Sequence, residues 1–182
     1  MCLLIGPTGV GKTLLLKTLQ TGNYHASKGS AVEAGEDFPA TIPTTGTNLM
    51  NIVVHKKKEV TVRELGGSMG PIWHSYYKDQ DAFMVDVSNR CQVSAACIQL
   101  LEMLSHSQTS STPVLILLNK KDVPSIMSNS EIEWLLRLED TRQHATQKIT
   151  VLEISAKTGL GLDRVSRWIF DNHREPAPQT QS

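Results

Sequence analysis

The sequence lacks an excess of charge of either sign. Its 182 residues include 18 Lys and Arg against 18 Asp and Glu, so the formal net charge is zero. General binding of nucleic acids depends on a surplus of basic side chains that neutralise phosphates. We therefore expect no nucleic acid among the partners of this protein.

Cysteine is scarce, and the three present form no recognisable pattern. Cys2, Cys91 and Cys97 are odd in number and lack the close spacing of a zinc site, and the six histidines contain no H-x-x-x-H pair. Structural zinc sites and disulfide frameworks both need such patterns. We interpret the cysteines as reduced thiols of a cytoplasmic protein.

Long hydrophobic runs and lipidation signals are also missing. No run approaches the roughly 18 apolar residues of a membrane span. Residue 2 is Cys rather than the Gly that myristoylation needs, and the sequence ends in Q-T-Q-S without the cysteine of a prenylation signal. Palmitoylation of Cys2 is an alternative, although Cys2 begins a predicted buried strand. We expect a soluble protein with no direct membrane anchor.

The sequence does contain apolar, strand-like runs that alternate with helical periodicity, over a length that suits one α/β domain. We predict strands over 1–5, 49–55, 59–65, 82–87, 114–118 and 150–154, and helices over 12–20, 93–105, 131–146 and 162–173. This alternation indicates a mostly parallel six-stranded sheet with helices on both faces. The pair at 49–55 and 59–65 predicts one antiparallel edge strand.

Composition sets the limits of the predicted domain, which covers residues 1–174. Within it, residues 23–40 are rich in Ser, Gly, Ala and Glu without periodicity, so we predict a long mobile loop. Residues 175–182 are polar and contain proline, which predicts a disordered tail. The triplet Lys56-Lys57-Lys58 joins two strands, and we interpret it as a solvated hairpin tip; a site for an anionic lipid or protein surface is the alternative.

A glycine-rich loop follows the first strand and precedes the first helix. Residues 6–13, G-P-T-G-V-G-K-T, fit the phosphate-binding pattern G-x-x-x-x-G-K-[ST]. Its glycines let consecutive backbone N–H groups turn toward phosphate oxygens at a helix N-terminus. Lys12 is expected to reach the β- and γ-phosphates, and the Thr13 hydroxyl to ligate Mg²⁺. The predicted phosphate-binding residues are Gly6, Thr8, Gly9, Val10, Gly11, Lys12, Thr13 and Leu14.

The end of the strand at 114–118 carries a candidate base-binding motif, Asn119-Lys120-Lys121-Asp122. The Asp122 carboxylate can accept hydrogen bonds from the ring N–H and the amino group of guanine, whereas adenine would leave that charge unpaired. Asn119 would hold the loop and contact the base edge, and the Lys120 stem would lie over the base. A small ATP-dependent kinase is an alternative, but N-K-x-D has no role in one.

A third strand end agrees with this interpretation. Ser155-Ala156-Lys157 follows the strand at 150–154 and offers a backbone N–H and a lysine where a second base-side loop would lie. The carboxyl ends of parallel strands meet at one edge of a sheet, where ligands of such folds bind. We therefore predict that the three motifs bind one guanine nucleotide.

Together these motifs resemble the Ras superfamily of small GTPases, and within it the ADP-ribosylation-factor-like branch. Residues 41–48, T-I-P-T-T-G-T-N, look like the first switch segment of that branch. Residues 64–68, E-L-G-G-S, with P-I-W at 71–73, look like its second. The resemblance extends from the phosphate-binding loop to the last helix, and it implies a single P-loop small-GTPase-like domain.

The resemblance implies a molecular switch that binds GTP or GDP with Mg²⁺. Thr44 would become a Mg²⁺ ligand only when the γ-phosphate is present, and the Gly67 N–H would bond that phosphate. GTP would then order two loops that GDP releases, and effector proteins would bind the ordered loops. An exchange factor and an activating protein are the other partners that this class uses, and we expect a monomer.

Two departures from the family pattern bear on mechanism. Glu64 replaces the Asp that holds Mg²⁺ through water, so we expect Thr13, Thr44 and Glu64, the last through water, to hold the metal. Ser68 replaces the glutamine that orients the attacking water, which leaves the catalytic residue unassigned and predicts slow hydrolysis. The alternative is a nucleotide-stabilised interaction module that does not cycle.

The effector surface also departs from the pattern. Thr47 and Arg63 occupy two positions that are usually aromatic, and only Tyr76 of that aromatic patch remains. We therefore expect the effectors of ordinary relatives not to bind here.

Overall fold

A computed structural model describes residues 1–22, 42–79, 82–86, 89–124 and 127–173. The strands are β1 (Cys2–Ile5), β2 (Thr47–Val54), β3 (Lys58–Leu65), β4 (Ala82–Asp86), β5 (Val114–Asn119) and β6 (Ile149–Glu153). The α-helices are α1 (Lys12–Thr21), α2 (Arg90–Ser105), α3 (Asn129–Leu135), α4 (Leu138–His144) and α5 (Leu162–Asn172). Short 3₁₀ segments cover His55–Lys57, Gly67–Asp79 and Ser107–Thr109.

The strands form one six-stranded sheet in the order β2-β3-β1-β4-β5-β6. Only the β2–β3 pair is antiparallel among these strands, and β2 lies at the edge. The other neighbours run parallel, so the carboxyl ends of β1, β3, β4, β5 and β6 lie along one edge of the sheet. The predicted α/β class and its antiparallel edge strand agree with the structure.

Two hydrophobic cores cover the two faces of the sheet. The first packs Leu4 and Leu117 of the sheet against α1 and α5. The second packs Leu3 and Ile116 against α2 and α3. Neighbouring residues of β1 and β5 therefore enter opposite cores, which explains why both strands are apolar throughout rather than alternating. Helices on both faces agree with the prediction.

The predicted helix at 131–146 is wrong as a single element. It is two seven-residue helices, α3 and α4, separated at Leu136 and Arg137. Arg137 adopts the left-handed conformation with φ 50°, which a continuous helix does not allow. Ser128 starts α3 with a capping box to Glu131, an S-x-x-E pattern that the sequence displays.

The lysine triplet is more than a solvated tip. Lys56 and Lys57 both have positive φ, and the ammonium groups of Lys56 and Lys58 lie 5.3 and 5.9 Å from the centre of the Phe170 ring on α5. These cation–π contacts fix the hairpin against the last helix. The sequence prediction missed this packing because Phe170 is far away along the chain.

Several predictions lie outside the described residues. They include the loop at 23–40, the first residue of the first switch motif at 41, the end of the strand at 87 and the tail at 175–182. Within the described ranges, no helix combines the length and the hydropathy needed to cross a membrane.

The central strand β5 generates a stability prediction. Leu117 of β5 is 1% exposed, so Leu117→Ala leaves a cavity in the core. We expect the free energy of unfolding in urea to fall by about 2 to 5 kcal/mol. Leu160→Ala is the control because Leu160 is 54% exposed, and its effect is expected within about 0.5 kcal/mol. An equal loss of unfolding free energy in the two variants would contradict the assignment of Leu117 to this core.

Candidate functional site

The glycine-rich loop leaves β1 at the carboxyl edge of the sheet and enters α1 at Lys12. Gly6, Gly9 and Gly11 have φ values of 148, 78 and 96°, in the region that L side chains rarely adopt. Thr8 and Gly9 are exposed, whereas the Val10 side chain is buried. Leu14 packs its side chain against the α1–α5 core rather than into the loop. The glycines thus adopt the backbone that the predicted phosphate-binding loop requires, and Leu14 lies at the margin of that loop.

Lys12 lies folded over this loop. Its ammonium donates to the carbonyl oxygens of Gly6 and Pro7 at 2.8 and 2.9 Å, and the residue is buried. Burial lowers the pKa of Lys12 from 10.5 to about 8, while the Glu64 carboxylate acts in the opposite direction. An anion above the loop would favour the charged form of this lysine.

A buried asparagine joins the loop to two other strand ends. The Asn119 amide donates to the Val10 carbonyl at 2.7 Å, and its Oδ1 accepts from the Ala156 N–H at 2.9 Å. Thr18 of α1 donates to the Ala156 carbonyl at 2.9 Å. The predicted residues Asn119 and Ala156 are therefore brought together with the phosphate-binding loop through a side chain that spans all three segments.

The candidate base-binding carboxylate is oriented by the neighbouring loop. The Ser155 hydroxyl donates to Asp122 Oδ1 at 2.6 Å and accepts from the Thr158 N–H at 3.0 Å. Asp122 itself is exposed. Lys120 turns the chain between Asn119 and Asp122 with φ 69°, and Lys157 is exposed beside Ser155. All six predicted base-side residues thus occur in two adjacent loops.

The side-chain oxygens of Thr13, Thr44 and Glu64 lie close together. Thr13 Oγ1 lies 2.5 Å from Glu64 Oε1 and 3.2 Å from Thr44 Oγ1, and Thr44 Oγ1 lies 3.4 Å from the same carboxylate oxygen. Hydroxyl and carboxylate oxygens are the ligands that Mg²⁺ prefers. The residues predicted to hold the metal are therefore adjacent, and their chemistry fits that ion.

The sequence prediction missed two residues that support the site. Asn48 is paired opposite Glu64 in the β2–β3 ladder, and its amide donates to Glu64 Oε2 at 3.5 Å. Gln92 of α2 donates to the Thr8 carbonyl at 2.6 Å. The register of the predicted hairpin could have placed Asn48 opposite Glu64. No local pattern in the sequence identifies Gln92 as a neighbour of Thr8.

The two glycines after Glu64 and Leu65 let the chain approach its neighbours closely. A Cβ on Gly66 would collide with the Thr44 carbonyl, and one on Gly67 would collide with the backbone at Pro7 and Thr8. The Gly66 N–H also donates to the Gly46 carbonyl at 2.9 Å. Gly67 therefore lies against the phosphate-binding loop, and Ser68 follows it on the surface.

These residues enclose a cavity of about 110 Å³ that is lined by Thr8, Gly9, Gly11, Lys12, Thr13, Ile42, Pro43, Thr44, Glu64 and Gly67. A larger cavity of about 460 Å³ lies between α2 and α4. We assign the chemistry to the smaller one because the lysine, the hydroxyls and the glycine loop converge there, and volume alone does not identify a site.

Comparison with known proteins agrees with this geometry. The model of the ADP-ribosylation factor family matches residues 1–173. The chain belongs to this family. Human ADP-ribosylation factor-like protein 16 is 50% identical over 176 residues, covering 96% of this chain and 86% of that protein. ADP-ribosylation factor-like protein 1 of Drosophila melanogaster is 31% identical over 171 residues, covering 92% and 85% respectively.

A solved structure supports the fold. The Arl6 small GTPase from Trypanosoma brucei, solved with the bound nucleotide analogue GppNp, superposes with a TM-score of 0.72 at 19% identity, covering 93% of this chain and 94% of that one. The predicted resemblance to the ADP-ribosylation-factor-like branch is thus confirmed, and with it the class of nucleotide-binding switches that bind GTP and GDP. The family assignment leaves no support for a small ATP-dependent kinase.

The Asn119 bridge generates the second prediction. Asn119→Ala removes two buried hydrogen bonds and leaves the Val10 carbonyl and the Ala156 N–H without this partner. We expect the free energy of unfolding to fall by about 2 to 5 kcal/mol.

The matched control is Asn51→Ala, which loses one exposed bond from Thr61. Its expected cost is below about 1 kcal/mol. Urea unfolding of both variants at one nucleotide concentration gives the comparison, and an Asn119 variant as stable as the control would show that the bridge contributes little.

Proposed function

We propose that this protein is a guanine-nucleotide switch that binds GTP or GDP with Mg²⁺ and signals to effector proteins in trafficking or related regulation. The observation that carries the proposal is that two hydrogen-bonded networks flank the phosphate-binding loop at one edge of the sheet. One contains Asn119, Asp122 and Ser155, and the other contains Thr13, Thr44 and Glu64.

Guanine selection follows from Asp122. Its Oδ1 accepts a hydrogen bond from Ser155, which holds the carboxylate at the mouth of the base-side loops. A carboxylate accepts from the ring N–H and the amino group of guanine, but it meets an acceptor in adenine. Asn119 contributes by fixing the loop relative to the phosphates, and the Lys120 and Lys157 side chains are the groups available to cover the base.

Phosphate binding uses Lys12, the backbone N–H groups of the glycine-rich loop and the Gly67 N–H. Thr13, Thr44 and Glu64 hold the metal ion, which when bound neutralises charge on the β- and γ-phosphates. The Lys12 ammonium uses two of its three N–H groups on the Gly6 and Pro7 carbonyls, which leaves the third for a phosphate oxygen.

The switch couples two loops through the γ-phosphate. Thr44 and Gly67 both line the cavity. Gly66 joins their segments because it lies against the Thr44 carbonyl and donates to the Gly46 carbonyl. Ordering of either loop therefore favours ordering of the other. Next to them Ile42 is 86% exposed and Leu49 57% exposed, an apolar surface for effectors that differs from the family's aromatic patch. Arg63 instead stacks on Tyr76 at 5.6 Å.

Hydrolysis is slow or assisted in this proposal. Ser68 occupies the position of the water-orienting glutamine, is exposed, and carries a side chain too short to span the same gap. An activating protein that supplies an arginine raises the rate, and an exchange factor reloads the protein. We place this cycle in the cytoplasm, on a monomer. The same exposed Ser68 favours a second candidate, a nucleotide-stabilised interaction module that does not hydrolyse GTP.

The base-binding assignment generates the third prediction. Asp122→Asn replaces the acceptor carboxylate with an amide that matches xanthine better than guanine. We expect the affinity for GDP to fall by about 100-fold or more and xanthosine diphosphate to bind more tightly than GDP. Fluorescent-nucleotide competition measures both. The control is Glu153→Gln, which removes a negative charge from the neighbouring strand. Unchanged GDP affinity in Asp122→Asn would refute the role of the Asp122 carboxylate.

The position of Ser68 generates the fourth prediction. Ser68→Gln restores a side chain long enough to orient water, and we expect single-turnover phosphate release from GTP to rise at least about tenfold. Ser68→Ala serves as the control and is expected to match the unmodified protein. All three proteins are measured with and without cell extract. No phosphate release from any of them in either condition would reject the switch and leave the non-cycling module.

A further inference from the structure

The oxygens of Thr13, Thr44 and Glu64 form a compact triangle. Its sides are 2.5, 3.2 and 3.4 Å, and its corners come from α1, the segment before β2, and β3. In octahedral Mg²⁺ coordination, ligand oxygens about 2.1 Å from the ion lie about 3 Å from their neighbours. The sides of 3.2 and 3.4 Å lie near that value, and the 2.5 Å side is a hydrogen bond from the Thr13 hydroxyl to the carboxylate.

The carboxylate reaches this triangle because residue 64 is Glu. The aspartate of the family pattern is one methylene shorter, and it holds the metal through an intervening water. Here Oε1 of Glu64 lies at hydrogen-bond distance from the Thr13 hydroxyl, which is itself a predicted metal ligand. Thr44 Oγ1 lies 3.4 Å from the same carboxylate oxygen, so Oε1 adjoins both hydroxyls that are predicted to hold the metal.

The second carboxylate oxygen has a different partner. Asn48, directly opposite Glu64 in the β2–β3 ladder, donates to Oε2 at 3.5 Å. Oε2 thus lies beside Asn48, and Oε1 is the oxygen that contacts Thr13 and Thr44. The arrangement suits a carboxylate that binds a cation through one oxygen.

Charge also favours a cation at this place. Glu64 is 1% exposed, and the donors that contact it in the structure, Thr13, Thr44 and Asn48, are all neutral. The charge of the Lys12 ammonium interacts with Glu64, but this ammonium donates its hydrogen bonds to the Gly6 and Pro7 carbonyls. A buried carboxylate without a hydrogen-bonded cation is costly, and a divalent ion in direct contact removes that cost.

We propose that Glu64 binds the divalent cation directly through Oε1, beside Thr13 and in place of one coordinated water. The inference rests on the proposed function, because the cation is the one that accompanies the nucleotide. Its consequence is that a protein carboxylate remains on the ion when Thr44 is released, so the ion is held in the GDP state as well as the GTP state.

Counting the waters on the metal tests this proposal. The protein is loaded with GDP and Mn²⁺, and the broadening of the Mn²⁺ resonance by ¹⁷O-labelled water is measured for the unmodified protein, Glu64→Asp and the control Glu59→Asp. Glu59 is exposed on the same strand. We expect one coordinated water fewer in the unmodified protein and in Glu59→Asp than in Glu64→Asp. Equal counts in all three would overturn the proposal.

A second measurement needs no variant to fold. In the unmodified protein labelled with ¹³C at the glutamate carboxyl carbons, electron–nuclear double resonance gives the distance from Mn²⁺ to the nearest carboxyl carbon. Direct binding predicts about 3 Å, and a bridging water predicts more than about 4 Å, which would reject direct binding. Calorimetric titration with GDP precedes both experiments. Absence of GDP binding there would refute the proposed function itself, whereas GDP binding with a bridging water refutes only this inference.

Discussion

The side chain of Asn119 is the interaction on which the site depends. From the end of β5, its Oδ1 accepts from the Ala156 N–H and its amide nitrogen donates to the Val10 carbonyl. A single buried amide therefore sets the spacing between the phosphate-binding loop and the base-side loop. Neither loop has a regular structure of its own to fix that spacing. Buried polar groups must find partners, and Val10 and Ala156 find theirs on the same residue. The distance between the two loops is thereby set by the fold itself.

A second constraint acts on the opposite side of α1. Glu64 gathers the Thr13 and Thr44 hydroxyls and the Asn48 amide around one buried carboxylate. The glycines at 66 and 67 are required next to it, because any side chain there would push the following segment away from Thr44 and from the phosphate-binding loop. The contacts of Asn119 and those of Glu64 both involve α1 or the loop before it. A shift in that loop therefore changes both sets of contacts.

The sequence predicted the features that local patterns encode. The glycine spacing, the N-K-x-D motif and the strand alternation each act within a few residues, and the structure agrees with their placement. Contacts between distant segments escaped prediction: Gln92 reaches Thr8 across 84 positions, and Phe170 receives Lys56 and Lys58. The break at Arg137 escaped for another reason, since helical periodicity continues through 131–146 and only the left-handed backbone of one residue interrupts it.

The proposed separation of binding from hydrolysis follows from where the residues lie. Lys12, Glu64, Asn119 and Ser155 are buried and hydrogen-bonded, so a change in any of them disturbs packing as well as chemistry. Ser68 is exposed at the start of a 3₁₀ segment, and its replacement costs the fold little. In the proposed switch, substitution at position 68 is therefore expected to alter turnover while nucleotide binding and the folded state persist. Such a chain would lose or regain hydrolysis without losing its bound nucleotide.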